Sequence, residues 1–313
     1  MKVVVTGGAG FIGSNLVSEL LLSDLNIKEL HVIDKLSYAG SLANLGTNLD
    51  LPNVFFHKED ICDQSVMSDL LKDVDYIFNL AAESHVDRSI TDAAAFWNSN
   101  VLGTVSLLES IKNRPGVRFL HVSTDEVYGS TSDGKFMETD PIKPSSPYSA
   151  SKAASDLACM AYSHTYGVDY LITRCTNNFG PNQYPEKLIP VLIQQAVHGK
   201  PLTLYGDGRH IREWIPVKIH AKYLIKLMFS GLSGEVINIG SGVEKSNLQI
   251  AELILSTTNS SSQISFIEDR LGHDYRYSVS TDKLNSFISK VDYNFDLELS
   301  NCVREIASKL IKE

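Results

Sequence analysis

Nothing in this 313-residue chain reads as a membrane span, because no apolar run approaches the ~18–20 residues that crossing a bilayer requires. No cleavable leader is legible either: Met1 runs straight into a strand-like segment, and a cytoplasmic location is expected. Cysteine is sparse. Its four copies, Cys62, Cys159, Cys175 and Cys302, lack the spacing of a metal site, so free thiols and no bound metal are expected. Basic charge is also short, with 28 Lys and Arg against 37 Asp and Glu. The resulting net charge of −9 argues against a nucleic-acid partner but leaves room for a local basic pocket. There is no internal repeat, and the only polar tract, residues 257–263, reads as a surface loop. At 43% hydrophobic and 21% charged residues, the balance is that of a soluble globular protein with one large or two interlocked cores.

What is present begins at the N-terminus. Lys2–Thr6 is a valine-rich run of the kind that forms a buried parallel strand. It leads into Gly7-Gly8-Ala9-Gly10-Phe11-Ile12-Gly13, after which Phe11–Leu22 repeats its apolar residues at helical spacing. In a strand, glycine turn and helix of this kind, Gly7, Gly10 and Gly13 supply a tight turn, close approach to a pyrophosphate and close helix–strand packing. The helix N-terminus offers N–H groups and a positive dipole end to the phosphates. Taken alone, the glycines also fit a plain turn. A second run, Glu29–Ile33, ends in Asp34, about 20 residues further on, where a carboxylate can bind both ribose hydroxyls. That acid would repel a 2′-phosphate, so NAD is expected rather than NADP; the other reading of Asp34 is a solvated acid at a strand end.

Further strand-like runs at residues 54–57, 76–81, 117–123 and 169–174 alternate with helical segments. The pattern predicts an α/β fold, a doubly wound parallel Rossmann sheet with a smaller C-terminal substrate-binding lobe. Ligands in such sheets lie beyond the carboxyl ends of the strands. Polar clusters stand there: Ala81-Ala82-Glu83-Ser84-His85, Thr124-Asp125-Glu126 and Cys175-Thr176-Asn177-Asn178. Beyond Gly180 the pattern loosens. The expected division is an NAD-binding domain over 1–180 and a nucleotide-sugar lobe over 181–313, with 235–240 able to return to the main sheet and the site in the cleft between.

Ser146 and Pro147 read as the N-cap and first turn of a helix that carries Tyr148 and Lys152 on one face. A phenol of ordinary pKa near 10 is a poor base, but an ammonium and a nicotinamide cation beside it would favour the phenolate. Such a phenolate can take an alcohol proton while hydride leaves the carbon. With the hydroxyl of Thr124 at a preceding strand end, Tyr148 and Lys152 form a candidate redox set. Asp125 and Glu126 are either solvated loop acids or an acid–base pair. Once an alcohol is oxidised to a ketone, the hydrogen on the adjacent carbon becomes acidic. One carboxylate can remove it while a carboxylic acid protonates a departing hydroxyl, and close spacing pushes the two pKa values apart.

These residues resemble those of the extended short-chain dehydrogenase/reductases, and most closely the dTDP-glucose 4,6-dehydratases. The resemblance spans nearly the whole chain. It rests on the glycine turn, Asp34-Lys35-Leu36-Ser37-Tyr38-Ala39-Gly40, the A-A-E-S-H-V-D-R-S segment at 81–89 and V-S-T-D-E-V-Y-G at 122–129. It continues through Tyr148-Ser149-Ala150-Ser151-Lys152, Asn177-Asn178-Phe179-Gly180-Pro181, Pro185-Glu186-Lys187-Leu188-Ile189-Pro190, Arg212-Glu213-Trp214 and Asp269-Arg270-Leu271-Gly272-His273-Asp274. The resemblance implies a hydro-lyase in which Tyr148, helped by Lys152 and Thr124, takes the 4-hydroxyl proton as hydride passes to NAD. Glu126 then removes the C5 proton and Asp125 protonates the C6 hydroxyl. It places Gly7, Gly10, Phe11, Ile12, Gly13, Asp34, Lys35, Ser37, Asp60, Ile61, Leu80, Ala81, Ala82, Ser84, Ser99, Tyr148, Lys152 and Asn178 around the cofactor. Toward a nucleotide-diphosphate hexose it places Ser84, Thr124, Asn177, Lys187, Leu188, Tyr205, Arg212, Asn247, Arg270 and His273. Arg212 and Arg270 suit bidentate pairing with a diphosphate; His273 can be a substrate contact or a satisfied loop histidine.

Four features depart from that family's common pattern: Glu213 in the Arg-Glu-Trp segment with Pro216 just after it, Leu271, Ser280, and a short C-terminus. They fall on the nucleotide-sugar side, so a UDP-glucose or UDP-N-acetylglucosamine 4,6-dehydratase and a nucleotide-sugar 4-epimerase stay open as alternatives. The resemblance also implies a homodimer.

Overall fold

The computed structural model describes residues 1–269 and 273–311. Twelve strands are described in chain order: β1 (Lys2–Thr6), β2 (Glu29–Ile33), β3 (Val54–His57), β4 (Tyr76–Asn79), β5 (Arg118–Thr124), β6 (Asp169–Cys175), β7 (Asn177–Phe179), β8 (Leu202–Tyr205), β9 (Ile211–Pro216), β10 (Glu235–Ile239), β11 (Glu244–Ser246) and β12 (Ile264–Ile267). The helices are α1 (Phe11–Leu22), α2 (Gln64–Leu70), α3 (Val86–Thr91), α4 (Ala93–Phe96), α5 (Gly103–Ile111), α6 (Pro147–Tyr166), α7 (Leu188–Val197), α8 (Val217–Met228), α9 (Asn247–Thr258), α10 (Asp282–Phe287) and α11 (Phe295–Leu310). The expected strands at 76–81 and 117–123 are thus shifted to β4 and β5. Leu80 and Ala81 leave the ladder because they turn into the cleft, and Thr124 stays in it opposite Cys175. The expected loop at 257–263 begins only after α9 has run to Thr258 and Asn259 has taken a left-handed cap.

Seven parallel strands form the main sheet in the order β3-β2-β1-β4-β5-β6-β10. Strand order reverses between β1 and β4, and the crevice for a ligand opens at the carboxyl end of such a switch point. Alternation along the strands feeds two apolar layers. Val3, Val5, Leu30, Val32 and Ile237 pack on one face with α1 and α8, while Val4, Ile33, Ile77, Phe119 and Ile172 pack on the other with α2, α5 and α6. Burying each such side chain is worth about 1.5–3 kcal/mol, so the strand ends that carry the site are held by a stiff scaffold.

A second core gathers Phe179, Ile189, Leu192, Ile193, Trp214, Ile250, Ile254, Phe295 and Leu299. The chain does not pass between the two cores at a single point. After β7, α7, β8 and β9, α8 lies against the main sheet, β10 pairs with β6, and the chain then crosses back.

Candidate active site

Each functional side chain sits where a strand or helix of the main sheet ends. In the first turn, Gly13 packs so tightly that a Cβ there would lie 2.2 Å from the Gly7 carbonyl oxygen. α1 therefore starts directly beneath the turn, with Gly10 as an N-cap that offers no side chain to its N–H groups. Asp34, just past β2, accepts the Ala9 N–H (3.0 Å) on one oxygen and the Leu36 N–H (2.8 Å) on the other. Burial pushes its carboxyl upward, against those hydrogen bonds, and its remaining lone pairs lie in the wall of the cleft.

A π-helical turn, Trp97–Leu102, follows α4, a feature frequent at functional sites. From it Ser99 accepts the Lys35 ammonium (2.7 Å). Asn100 clamps Glu83 through both its N–H and its C=O (2.7 and 3.0 Å) and donates to Ser151 of α6 (2.8 Å). α6 begins with a reciprocal capping box between Ser146 and Ser149 and has Pro147 in its first turn. That fixes the exit angle of the helix and so aims Tyr148 and Lys152.

One cleft collects these groups. Its wall contains all five proposed catalytic residues, Thr124, Asp125, Glu126, Tyr148 and Lys152, and every residue expected around the cofactor. Of the residues expected to meet substrate, Ser84, Thr124, Asn177 and Lys187 line it. Leu188, Tyr205, Arg212, Asn247 and His273 stand outside that wall, and Arg270 and Leu271 lie outside the described residues. The Arg212 guanidinium donates to the carbonyls of Ile211, Tyr275 and Asp274 (2.8, 3.2 and 2.9 Å) and lies 4.4 Å over the Tyr277 ring.

Electrostatics divides the catalytic groups. Asp125 is nearly sealed from solvent, with one oxygen accepting the Thr124 hydroxyl (3.3 Å) and the other without a hydrogen-bond partner. Burial first, then Glu126 and Glu213, pushes its carboxyl far above the usual range. That environment favours the protonated form of the acid. Tyr148 is also pushed well up, by burial, Glu126 and Cys175, while a hydrogen bond with Thr124 works the other way. Lys152 donates to the Val122 carbonyl (2.8 Å) and approaches His121 (3.4 Å); burial draws its ammonium down and Asp156 opposes that. The chain's own residues therefore hold the phenol neutral. The expected stabilisation of a phenolate by Lys152 is not supplied by direct contact, because the ammonium is engaged on β5.

The wall also includes Tyr38, Glu83, Cys175, Thr176, Tyr184 and Glu186, to which the sequence alone assigns no role. Three of them form a strap with Arg88, whose guanidinium sits 3.7 Å over the Tyr38 ring and 3.3 Å from Glu186, while Tyr184 meets Tyr38 edge-on. Lys187 donates to the Ser84 carbonyl (2.8 Å) alongside. Their motif strings were visible, but nothing in linear spacing says that residues 38, 88 and 186 converge. Near His273 the Asp269 carboxylate meets His273 (2.6 Å) and His210 (3.2 Å), and these three offer ligand atoms within 4.8 Å of one another. The two imidazoles are stacked at 3.7 Å and 16°, so their in-plane lone pairs do not point at a common ion.

The cleft suits a dinucleotide. Its wall runs from the glycine turn past Asp34 and Asp60–Ile61 to Tyr148, and the buried Thr176 hydroxyl lining it has no hydrogen-bond partner. Across residues 4–291 the chain matches the family described as GDP-mannose 4,6 dehydratase. It is 49% identical over 304 residues to the low-salt glycan biosynthesis protein Agl12 of Haloferax volcanii, covering 97% of each chain. It is 45% identical to a dTDP-glucose 4,6-dehydratase of an Actinoplanes species, over 91% of this chain and 90% of that one. Among solved structures, DesIV of Streptomyces venezuelae, a dTDP-glucose 4,6-dehydratase with NAD bound, superposes with a TM-score of 0.94 at 43% identity, covering 97% of this chain and 96% of the other.

Proposed function

Because the chain belongs to the GDP-mannose 4,6 dehydratase family, we propose that it is an NAD-dependent hydro-lyase converting dTDP-glucose to dTDP-4-keto-6-deoxyglucose. The observation that carries the reading is the pair Asp125 and Glu126, both in the wall of one cleft with Tyr148, with Asp125 nearly sealed from solvent and one of its oxygens without a hydrogen-bond partner. A 4-epimerase needs oxidation at C4 but has no use for a second acid–base pair.

NAD, when bound, supplies the hydride acceptor and later the hydride donor. The chain's residues move the protons. With the positive charge of bound NAD favouring the phenolate that the chain's own residues do not, Tyr148 as phenolate accepts the proton of the C4 hydroxyl, and Thr124 beside it holds that hydroxyl in line. Glu126 takes the C5 proton made acidic by the new ketone. Asp125, carrying its proton in a sealed site, delivers it to the C6 hydroxyl, which leaves as water. Hydride then reaches C6 and a proton returns to C5, so the sugar is oxidised and reduced once each and the cofactor ends as it began. Gly13, Asp34, Lys35 and Ser99 are the residues that would hold the dinucleotide, with Asp34 on the adenosine ribose.

The protein is further read as a cytoplasmic homodimer. Its four cysteines are all unpaired, as suits a reducing compartment. Trp97, Leu102 and Leu157 expose large apolar side chains on the adjoining π-helical turn and α6, a face suited to a second copy.

Incubating purified protein with NAD and, separately, dTDP-glucose, UDP-glucose and UDP-N-acetylglucosamine tests the reading. The 4-keto-6-deoxy product is expected from dTDP-glucose, with solvent deuterium at C5. A 4-epimer without deuterium would replace the proposal with an epimerase, and product from a UDP sugar alone would move the substrate. Tyr148→Phe should lower turnover by about 10²–10⁴-fold while retaining NAD; unchanged turnover would remove Tyr148 from the mechanism.

A further inference from the structure

The strands β5, β6 and β10 end in register, Thr124 opposite Cys175 and Cys175 opposite Ile239. The residues that follow, Asp125, Thr176 and Gly240, make a row along the rim of the sheet. With strands ~4.8 Å apart that row spans roughly 10 Å. Gly240 has no Cβ, and the space is taken by the Glu213 carboxylate from β9: a Cβ there would lie 2.2 Å from Glu213 Oε1. The Gly242 N–H (2.7 Å) and the Val279 N–H (3.4 Å) donate to that carboxylate, which is fully buried. An aspartate at 213 would stop one methylene short of this seat.

The two ends of the rim are therefore provisioned differently. Glu213 accepts from two backbone N–H groups and from the Ser278 hydroxyl (3.4 Å). Asp125 has a hydroxyl on one oxygen and nothing on the other. Like charges so placed in a buried rim repel one another, and Glu213 adds to the burial that pushes the Asp125 carboxyl up. The other groups facing Asp125 are Glu126 on its own segment, Arg212 on β9, Cys175 on β6 and Tyr148 on α6. Of these only Arg212 opposes protonation, and its guanidinium is spread over three carbonyls.

We propose that Glu213 is a positioning residue for the elimination step, holding the Asp125 carboxyl in its proton-donating form from across the strand ends. The inference rests on the reading of Asp125 as the acid of that step. Its signature is a pH limb. Removing the Glu213 charge lets Asp125 ionise at lower pH, so the alkaline limb of water loss moves down.

Glu213→Gln keeps one oxygen for the Gly242 N–H at the Oε1 position, gives up the longer contact with Val279 at Oε2, and removes the charge; Glu213→Asp keeps the charge and withdraws it. The carbonyl stretch of a protonated carboxyl, identified by its absence from Asp125→Asn, is titrated by infrared difference spectroscopy in the parent and both variants. A midpoint lowered by about one pH unit or more in Glu213→Gln, with a smaller shift in Glu213→Asp, is expected, and the alkaline limb of kcat on dTDP-glucose should move equally. An unmoved midpoint in a Glu213→Gln protein that still binds NAD overturns the inference and leaves the proposed reaction standing. A moved midpoint without any 4-keto-6-deoxy product from the parent overturns the reaction instead, because the infrared measurement needs no turnover.

Discussion

Asp125 and Asp156 are both buried carboxyls at the catalytic end of the main sheet, and the protein treats them in opposite ways. Asp156 on α6 receives the Arg174 Nε at 3.0 Å, and that guanidinium lies 4.8 Å over the Tyr128 ring, whose hydroxyl donates to Asn238 (2.8 Å). Burial pushes Asp156 upward and Arg174 pulls it back. Each carboxyl has one oxygen without a hydrogen-bond partner, but around Asp125 the neighbouring charges are led by Glu126 and Glu213, with Arg212 opposing them. Burial alone thus does not decide the charge of a carboxyl. A matched cation makes one a brace beneath Lys152, and acidic neighbours that outweigh Arg212 make the other a stored acid.

The largest expected effect comes from turning the first region into the second. Arg174→Met leaves the Asp156 charge uncompensated and should cost about 3–5 kcal/mol of stability in denaturant unfolding. An Asp156→Leu/Arg174→Met double variant should recover most of it, and a single variant within 1 kcal/mol of the parent would mean that the pair is no brace.

Next is Asp125→Asn, which should slow water loss by about 10²-fold or more yet leave C4 oxidation running. A single turnover followed by absorbance of the reduced cofactor should show it accumulating; normal product formation without accumulation would assign the acid elsewhere.

The smallest effect is thermal. The folded-state pKa of Asp125 lies above its unfolded value, so ionising it opposes folding increasingly as pH rises from ~4. Asp125→Asn should therefore melt at or above the parent, with the gap widening toward alkaline pH. Asp156→Asn should melt below the parent at neutral pH. Both carboxyls are shifted upward, so the contrast lies in the sign of the neutral-pH effect; melting curves for both variants check it, and two variants that both melt above the parent would erase it.

The sheet side was largely readable because its signals are local. β1, the glycine turn and α1 are contiguous, Ser146 and Pro147 sit beside the residues they aim, and Glu235–Ile239 is apolar enough to mark a buried strand. What depends on convergence was not readable. Glu213 shows in the sequence only as an unusual letter between Arg212 and Trp214, and its meaning needs Gly240 and Val279 brought to it by other strands. The strap of Tyr38, Arg88 and Glu186 is assembled from loops far apart in the chain. Helical spacing puts Lys152 on one face with Tyr148, but its hydrogen bond to Val122 depends on how close α6 lies to β5.

The seat of β10 beside β6 also limits how this protein can be taken apart. A fragment ending at residue 180 would bare one edge of β6 and strip α8 from the apolar face that it shares with α1. Exchanging the sugar-facing half with that of a relative would mean grafting separate stretches, around 177–216, 241–267 and 293–311, while leaving the intervening helix and strand in place. Specificity in this scaffold is therefore better altered residue by residue than by joining halves.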